Sequence, residues 1–220
     1  MTPPTDDEVS VDGDVLTDGD ASGVDDTSLA DNVPAVARLA GPIGAAFTSA
    51  SILAAALLSP TFSWTQSALS DLGAASDPLV SLLFNGGLIA GGLVGAAYAL
   101  ALRPHSTVLA VGYVFSILAM ALVGVFPAGT GPHMPVAIAF FLLATATVTL
   151  DGWRRRASTT GRVGLALAGG HIAGWLLWSA GIRPGPGLAL PELGGVVMFG
   201  AWLLALSPPS QWWWRRRWQG

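Results

Sequence analysis

Asp71, Asn85, His133 and Glu192 place two carboxylates, an amide and an imidazole beside long apolar runs of a 220-residue chain. An imidazole and a carboxylate held together can move a proton in general acid–base catalysis, and an arginine can neutralise a phosphate. On that chemistry His133 is the candidate acid or base, and Asp71 would orient it or hold an activating cation. Ser67, Ser70, Asn85, Arg183 and Glu192 are the candidate ligand-binding residues, with Ser67 or Ser70 as a nucleophile. Other chemistries are excluded by what is missing. Without cysteine there is no thiolate or disulfide, and without lysine there is neither a P-loop nor a Schiff base. His105, His133 and His171 stand at three different depths and none belongs to a His-Glu-x-x-His signature, so no metal is expected. With no dinucleotide fingerprint and no Gly-x-Ser-x-Gly elbow, no cofactor is expected either.

The elements that must position these groups follow from composition. The chain is 52% hydrophobic and only 11% charged, with mean hydropathy +0.58, which rules out a single soluble core. Apolar runs near 20 residues match a hydrocarbon layer of about 30 Å at a rise of about 1.5 Å per residue. Six such runs are read at about 39–58, 79–102, 106–126, 135–150, 163–182 and 188–207. Because lipid tolerates no unpaired backbone and no period-two alternation appears, they are helices. The fold class is therefore all-α: a polytopic membrane protein built as a six-transmembrane-helix bundle.

Three regions result. Residues 1–37 form an acidic tail expected to be disordered and cytosolic, 38–207 the membrane domain, and 208–220 an interfacial tail rich in Trp and Arg. Ten of the fourteen acidic residues lie between Asp6 and Asp31, so the net charge of −4 describes the tail and not the body. Such an acidic, lysine-free composition is that of a protein exposed to concentrated salt, as in a halophilic archaeon. With both termini inside, Arg38, Arg103, Arg154, Arg155, Arg156, Arg162, Arg215, Arg216 and Arg217 face the cytoplasm and only Arg183 faces out. The expected location is the cell membrane, with membrane lipids as partners and no nucleic acid. Gly87, Gly91 and Gly95, at four-residue spacing, offer a close-packing stripe to another helix of the chain or to a second copy in a homo-oligomer.

The outward loops then carry the candidate groups. A short helix over Trp64–Leu72, closed by Gly73, would put Ser67, Ser70 and Asp71 on one face, with Asp71 at the unfavourable negative end of the dipole. Asp77 before Pro78 reads as a helix N-cap, and Glu192 after Pro191 lies in a first turn, where a carboxylate is favoured. Nearby Arg183 is its candidate salt-bridge partner. Asn85, about 10 Å deep by helical rise, must face the bundle. His171, mid-span, is expected to be neutral and bonded to a hydroxyl or carbonyl.

Several strings together resemble a known family. Ser67-Ala68-Leu69-Ser70-Asp71-Leu72-Gly73, Phe84-Asn85-Gly86-Gly87-Leu88-Ile89, Val123-Gly124-Val125-Phe126-Pro127 followed by His133, Phe140-Phe141, and Gly187-Leu188-Ala189-Leu190-Pro191-Glu192 are similar to archaeal and bacterial six-helix membrane proteins catalogued as domain of unknown function 998. The likeness covers about residues 40–206. It implies one six-span domain and no established reaction, and it implies that Asp71, Asn85, His133 and Glu192 form one outer-leaflet cluster. A more distant likeness to eukaryotic six-helix proteins that include factors in lipid-anchor remodelling points towards lipid-facing work. The reading is thus a membrane protein that binds or modifies lipid at an outward polar cluster. The alternatives are a small-solute transporter, for which the spans offer little beyond His171, and a non-catalytic scaffold.

Overall fold

The structure, a computed structural model, describes residues 33–211. The acidic segment and the Trp-Arg cluster from Trp212 onward lie outside the described residues. The chain forms α1 (Ala35–Leu58), a 3₁₀ turn (Leu69–Ala74), α2 (Pro78–Ala96), the short α3 (Tyr98–Leu102), α4 (Thr107–Val125), α5 (His133–Arg154), α6 (Thr159–Ser179) and α7 (Ala189–Ala201), which widens into a π turn over Trp202–Leu206. No strand occurs among the described residues. Five helices are long and apolar enough to cross a membrane: α1, α2, α4, α5 and α7 with its π extension. The fifth of the six expected runs, α6, has the length at 21 residues, but Arg162, His171 and five glycines dilute its apolarity.

Local chemistry sets the boundaries. Asp77 Oδ1 accepts from the Leu79 N–H at 2.8 Å with Pro78 at the start of α2, as expected of an N-cap. Ser106 and Ser158 cap α4 and α6 in the same way. α6 ends at Gly181, whose φ of +81° suits a residue without Cβ, and the bonds Gly181 N–H to Trp178 O and Ile182 N–H to Leu177 O turn the chain back over its own last turn. α1 begins at Ala35, inside the stretch read as tail. At the other end residues 208–211 make a helical turn in which Ser210 is buried, so the membrane domain extends past its expected limit of 207.

Successive long helices pack antiparallel, and glycines set the closest approaches. Gly87, Gly91 and Gly95 meet Gly44, Thr48 and Ser51 of α1, and Thr48 Oγ1 donates to Gly87 O at 3.1 Å. The stripe is therefore occupied within the chain by α1. Gly92 approaches Ala121 of α4, and Gly152 of α5 lies against Gly161 and Leu165 of α6. Tyr98, Tyr113, Phe140, Phe199 and Trp202 fill the centre, with Phe199 stacked on Trp202 at 5.8 Å.

This alternation gathers the linkers 59–77, 126–132 and 180–188 at one end, hereafter the capped end, and 103–106 and 155–158 at the other. The second end is tied by an ionic lock. Buried Asp151 accepts from Arg155 Nε at 2.8 Å, from Arg155 Nη2, and from Trp202 Nε1 at 2.7 Å, while Arg155 also donates to Leu206 O at 2.7 Å. The π turn frees carbonyls from the helical ladder, and this guanidinium takes one of them. Tyr98 Oη bonds Ser207 and Ser210 at 2.5 and 2.9 Å and holds the same segment.

Gly91→Val would press a side chain on Thr48 and the Gly44 carbonyl and is expected to lower the melting temperature in detergent, by about 1–3 kcal/mol of overpacking or more. Gly169→Ala, where nothing lies within 4 Å, should leave it unchanged or raise it. Asp151→Ala should cost about 3 kcal/mol, the low end for a broken buried pair because Arg155 keeps some solvent contact.

Candidate functional site at the capped end

After Leu58 the chain runs through irregular turns, and the helix expected over residues 64–72 does not form. Regular structure appears only as the 3₁₀ turn Leu69–Ala74. Ser67 precedes it, so Ser67, Ser70 and Asp71 do not make the expected helical stripe. Asp71 does not face a dipole's negative end either. It is the third residue of the turn, and its Oδ2 reaches back to accept the Ala68 N–H at 2.8 Å. The first N–H groups of any helical turn lack intrahelical acceptors, so a carboxylate there is stabilising.

Glu192 supplies the next acceptor from the opposite end of the sequence. It lies in the first turn of α7, as expected, yet its Oε2 accepts the Leu69 N–H at 2.5 Å. With 7% of its surface exposed, it is closed under the turn it caps. The expected pairing with Arg183 is not made. Arg183 instead stacks its guanidinium on the Trp178 ring, 4.5 Å from the centroid. Backbone bonds complete the seam between first and last loops: Gly187 N–H to Thr65 O and Ala189 N–H to Ser67 O, both at 2.9 Å. Ser67 Oγ accepts from the Ser63 N–H at 3.2 Å. Gly185 and Gly187 lie so close to residues 65–67 that a Cβ at either would overlap their backbone.

Asn85 points into the bundle as expected. Its Nδ2 donates to Gly73 O at 2.8 Å, while Oδ1 is buried without a partner. Thus Asp71, Asn85 and Glu192 all serve the same short turn, at its Ala68, Leu69 and Gly73 backbone groups. His133 does not join them. Buried at the start of α5, its Nδ1–H donates to the Phe126 carbonyl at 2.8 Å within its own loop. Among the described residues no hydrogen bond or ion pair links it to Asp71. Nor do three His, Asp or Glu side chains gather there as a metal site.

His171 is bonded at both ring nitrogens. Trp175 Nε1–H donates to Nε2 at 2.9 Å, which leaves the proton on Nδ1, 2.9 Å from Thr145 Oγ1, and that hydroxyl donates onward to Phe141 O at 2.6 Å. The ring is neutral in this arrangement, as expected of an imidazole in mid-span.

Two spaces adjoin these residues. Under the cap, a cavity of about 40 Å³ is lined by Leu69, Ser70, Phe84, Met120, Phe140 and Glu192, among others, and has room for only a few waters. On the flank, a groove of about 530 Å³ runs between α6 and α7. Arg183 and Trp178 stand at its capped end, Gly170, Gly174 and Gly194 line its floor, and His171 lies partway along. Sequence reasoning missed this groove. Its signals were the four-residue spacing of Gly170 and Gly174 and the isolation of Arg183, both overshadowed by the stronger stripe in α2.

The family model for Protein of unknown function (DUF998) matches residues 42–207. The chain belongs to that family. No curated protein and no solved structure matches it. In this DUF998 chain the strings that carry the resemblance are the ones that bond one another: residues 67–73 to Asn85, Ala189 and Glu192, and Phe126 to His133.

Glu192→Ala would leave the enclosed Leu69 N–H without its acceptor, at about 1–3 kcal/mol. The expected readouts are a lower melting temperature and faster proteolysis within residues 59–77, with partial rescue by Glu192→Gln. An unchanged cleavage rate would show that the carboxylate does not hold the turn.

Proposed function

We propose that the chain is a six-span protein of the cell membrane, with its arginine-rich end in the cytoplasm, and that it binds a membrane lipid in the groove between α6 and α7. The observation that carries the lipid reading is that groove, about 530 Å³ of mainly apolar space with a cation at its rim. Its size is that of a ligand site, and its walls are helices that face the hydrocarbon. The six-span reading is supported by the length of α6, about 31 Å at the helical rise, and by its packing between α5 and α7. Arg38, Arg103, Arg154, Arg155, Arg156 and Arg162 lie at one end of the bundle and Arg183 at the other, which supports the orientation.

Binding is favoured over chemistry because the candidate catalytic groups are already engaged. Asp71 holds Ala68 and His133 holds Phe126, each within its own loop, so the acid and the imidazole are not paired as a proton relay would need. Transport through His171 is disfavoured because both ring nitrogens are tied in hydrogen bonds, so gaining or losing a proton would break one of them.

The absence of cysteine makes orientation directly testable. Ser76→Cys should react with an impermeant maleimide from outside intact cells and Ala157→Cys only after permeabilisation; the reverse pattern would overturn the topology. Lipid binding is read by native mass spectrometry of the protein purified in detergent. Retained lipid is expected in the parent chain and should fall sharply in Gly174→Leu, which fills the groove. Equal retention in both would place the lipid elsewhere.

A further inference from the structure

The flanking groove has a direction. From Ala166 to Trp178 its α6 wall rises twelve residues, about 18 Å, against about 15 Å for half of the hydrocarbon layer. A single acyl chain of one leaflet therefore spans it, with its head beside Arg183. Gly170 and Gly174 have nothing within 4 Å of where a Cβ would stand, and Gly194 has only the His171 ring edge at 3.7 Å. The floor is open along the whole of that path.

The rim is organised for charge. Gly181 reverses the chain so that Arg183 falls back on Trp178, whose Nε1–H is fixed on Gly187 O at 2.8 Å. Stacking holds the guanidinium at an exposed position, where its N–H donors stay accessible. Among the described residues Arg183 makes no hydrogen bond or ion pair, whereas the nearby carboxylates of Asp71, Asp77 and Glu192 accept from backbone N–H groups. A guanidinium with unfilled donors at headgroup level matches a phosphate, which it can bind through two parallel bonds.

We infer that the groove is selective for a lipid with an anionic phosphate head, and that Arg183 is the residue that selects it. This rests on the groove being a lipid site. A second copy of the chain is the competing occupant, because Gly170 and Gly174 could pack against their own symmetry mates. A two-fold contact there would bring both Arg183 guanidiniums to the same height beside the axis, like charge against like, whereas a phosphate neutralises each one.

The test uses the delipidated full chain in detergent, with phosphatidylglycerol, phosphatidylcholine and diacylglycerol of identical chains added singly and retention read by native mass spectrometry. Phosphatidylglycerol should be retained best and diacylglycerol least. Arg183→Gln should lower phosphatidylglycerol retention about tenfold, as expected for loss of charged hydrogen bonds, and leave diacylglycerol unchanged. Gly174→Leu should lower all three. If the parent chain retains none of them, the lipid site itself is overturned. Equal retention of the three, or an Arg183→Gln chain that behaves like the parent, overturns the head-group selection alone. A dimer mass that Gly174→Leu abolishes would assign the groove to a second copy instead. Unchanged melting temperatures of both variants establish that each is folded.

Discussion

A backbone N–H or C=O facing hydrocarbon without a partner costs several kcal/mol, and the capped end of this bundle is organised around that cost. Helices satisfy their own groups along their length but leave donors at the start of every turn. The linker 59–77 runs irregularly over the end of the bundle, and where Leu69, Leu72 and Gly73 turn inward its backbone is closed off from water. Asp71 takes one exposed donor of its 3₁₀ turn, Glu192 takes another from across the chain, and Gly187 and Ala189 supply N–H groups to the carbonyls of Thr65 and Ser67. Asp71 and Glu192, which look catalytic in the sequence, here serve the backbone as acceptors.

Glycine has two opposite uses in the same fold. In α2, Gly87, Gly91 and Gly95 let α1 come so close that Thr48 reaches the α2 backbone, and added side chains there would collide. In α6, Gly170 and Gly174 have the same spacing and no neighbour. Spacing alone cannot distinguish these cases, since it records only that side chains are missing along a line. What separates them is the helix that arrives at α2 and does not arrive at α6. The open glycines also explain why α6 falls short in apolarity: residues that hollow the groove remove the hydrocarbon by which a span is recognised.

Helix positions were legible because twenty-residue apolar runs and N-caps such as Asp77 are local signals. Both ends of α4 fall within one residue of their expected places, whereas the run read as 79–102 stops as α2 at Ala96 and resumes as the short α3 over Tyr98–Leu102. Asn85 and His171 were legible in kind, for a polar group in a span must find an internal partner, but not in detail, because Gly73, Thr145 and Trp175 become partners only through packing. The expected helix over 64–72 failed for a related reason. Its i, i+3, i+4 pattern was real, yet the acceptor that fixes the local geometry, Glu192, lies 123 residues away and pulls the turn to begin at Leu69. Family strings located the parts of the cap without revealing which bonded which, and so His133 was grouped with Asp71 although each serves its own loop.

The two ends of the bundle differ in what they leave unsatisfied. At the arginine-rich end Asp151 is saturated by Arg155 and Trp202, and Arg155 extends to Leu206 and Thr160. That network closes on itself and locks the π turn. At the capped end the carboxylates are equally engaged, but the guanidinium of Arg183 meets only the face of an indole. Desolvating a cation without a counter-charge is costly in any protein interior, whereas beside lipid headgroups the counter-charge is supplied by the membrane. Arg183, exposed at the rim of the groove, can take such a counter-charge from the phosphate of the lipid proposed for the space beneath it. The buried carboxylates of the bundle have their partners inside the protein, whereas this guanidinium is left to find one in its surroundings.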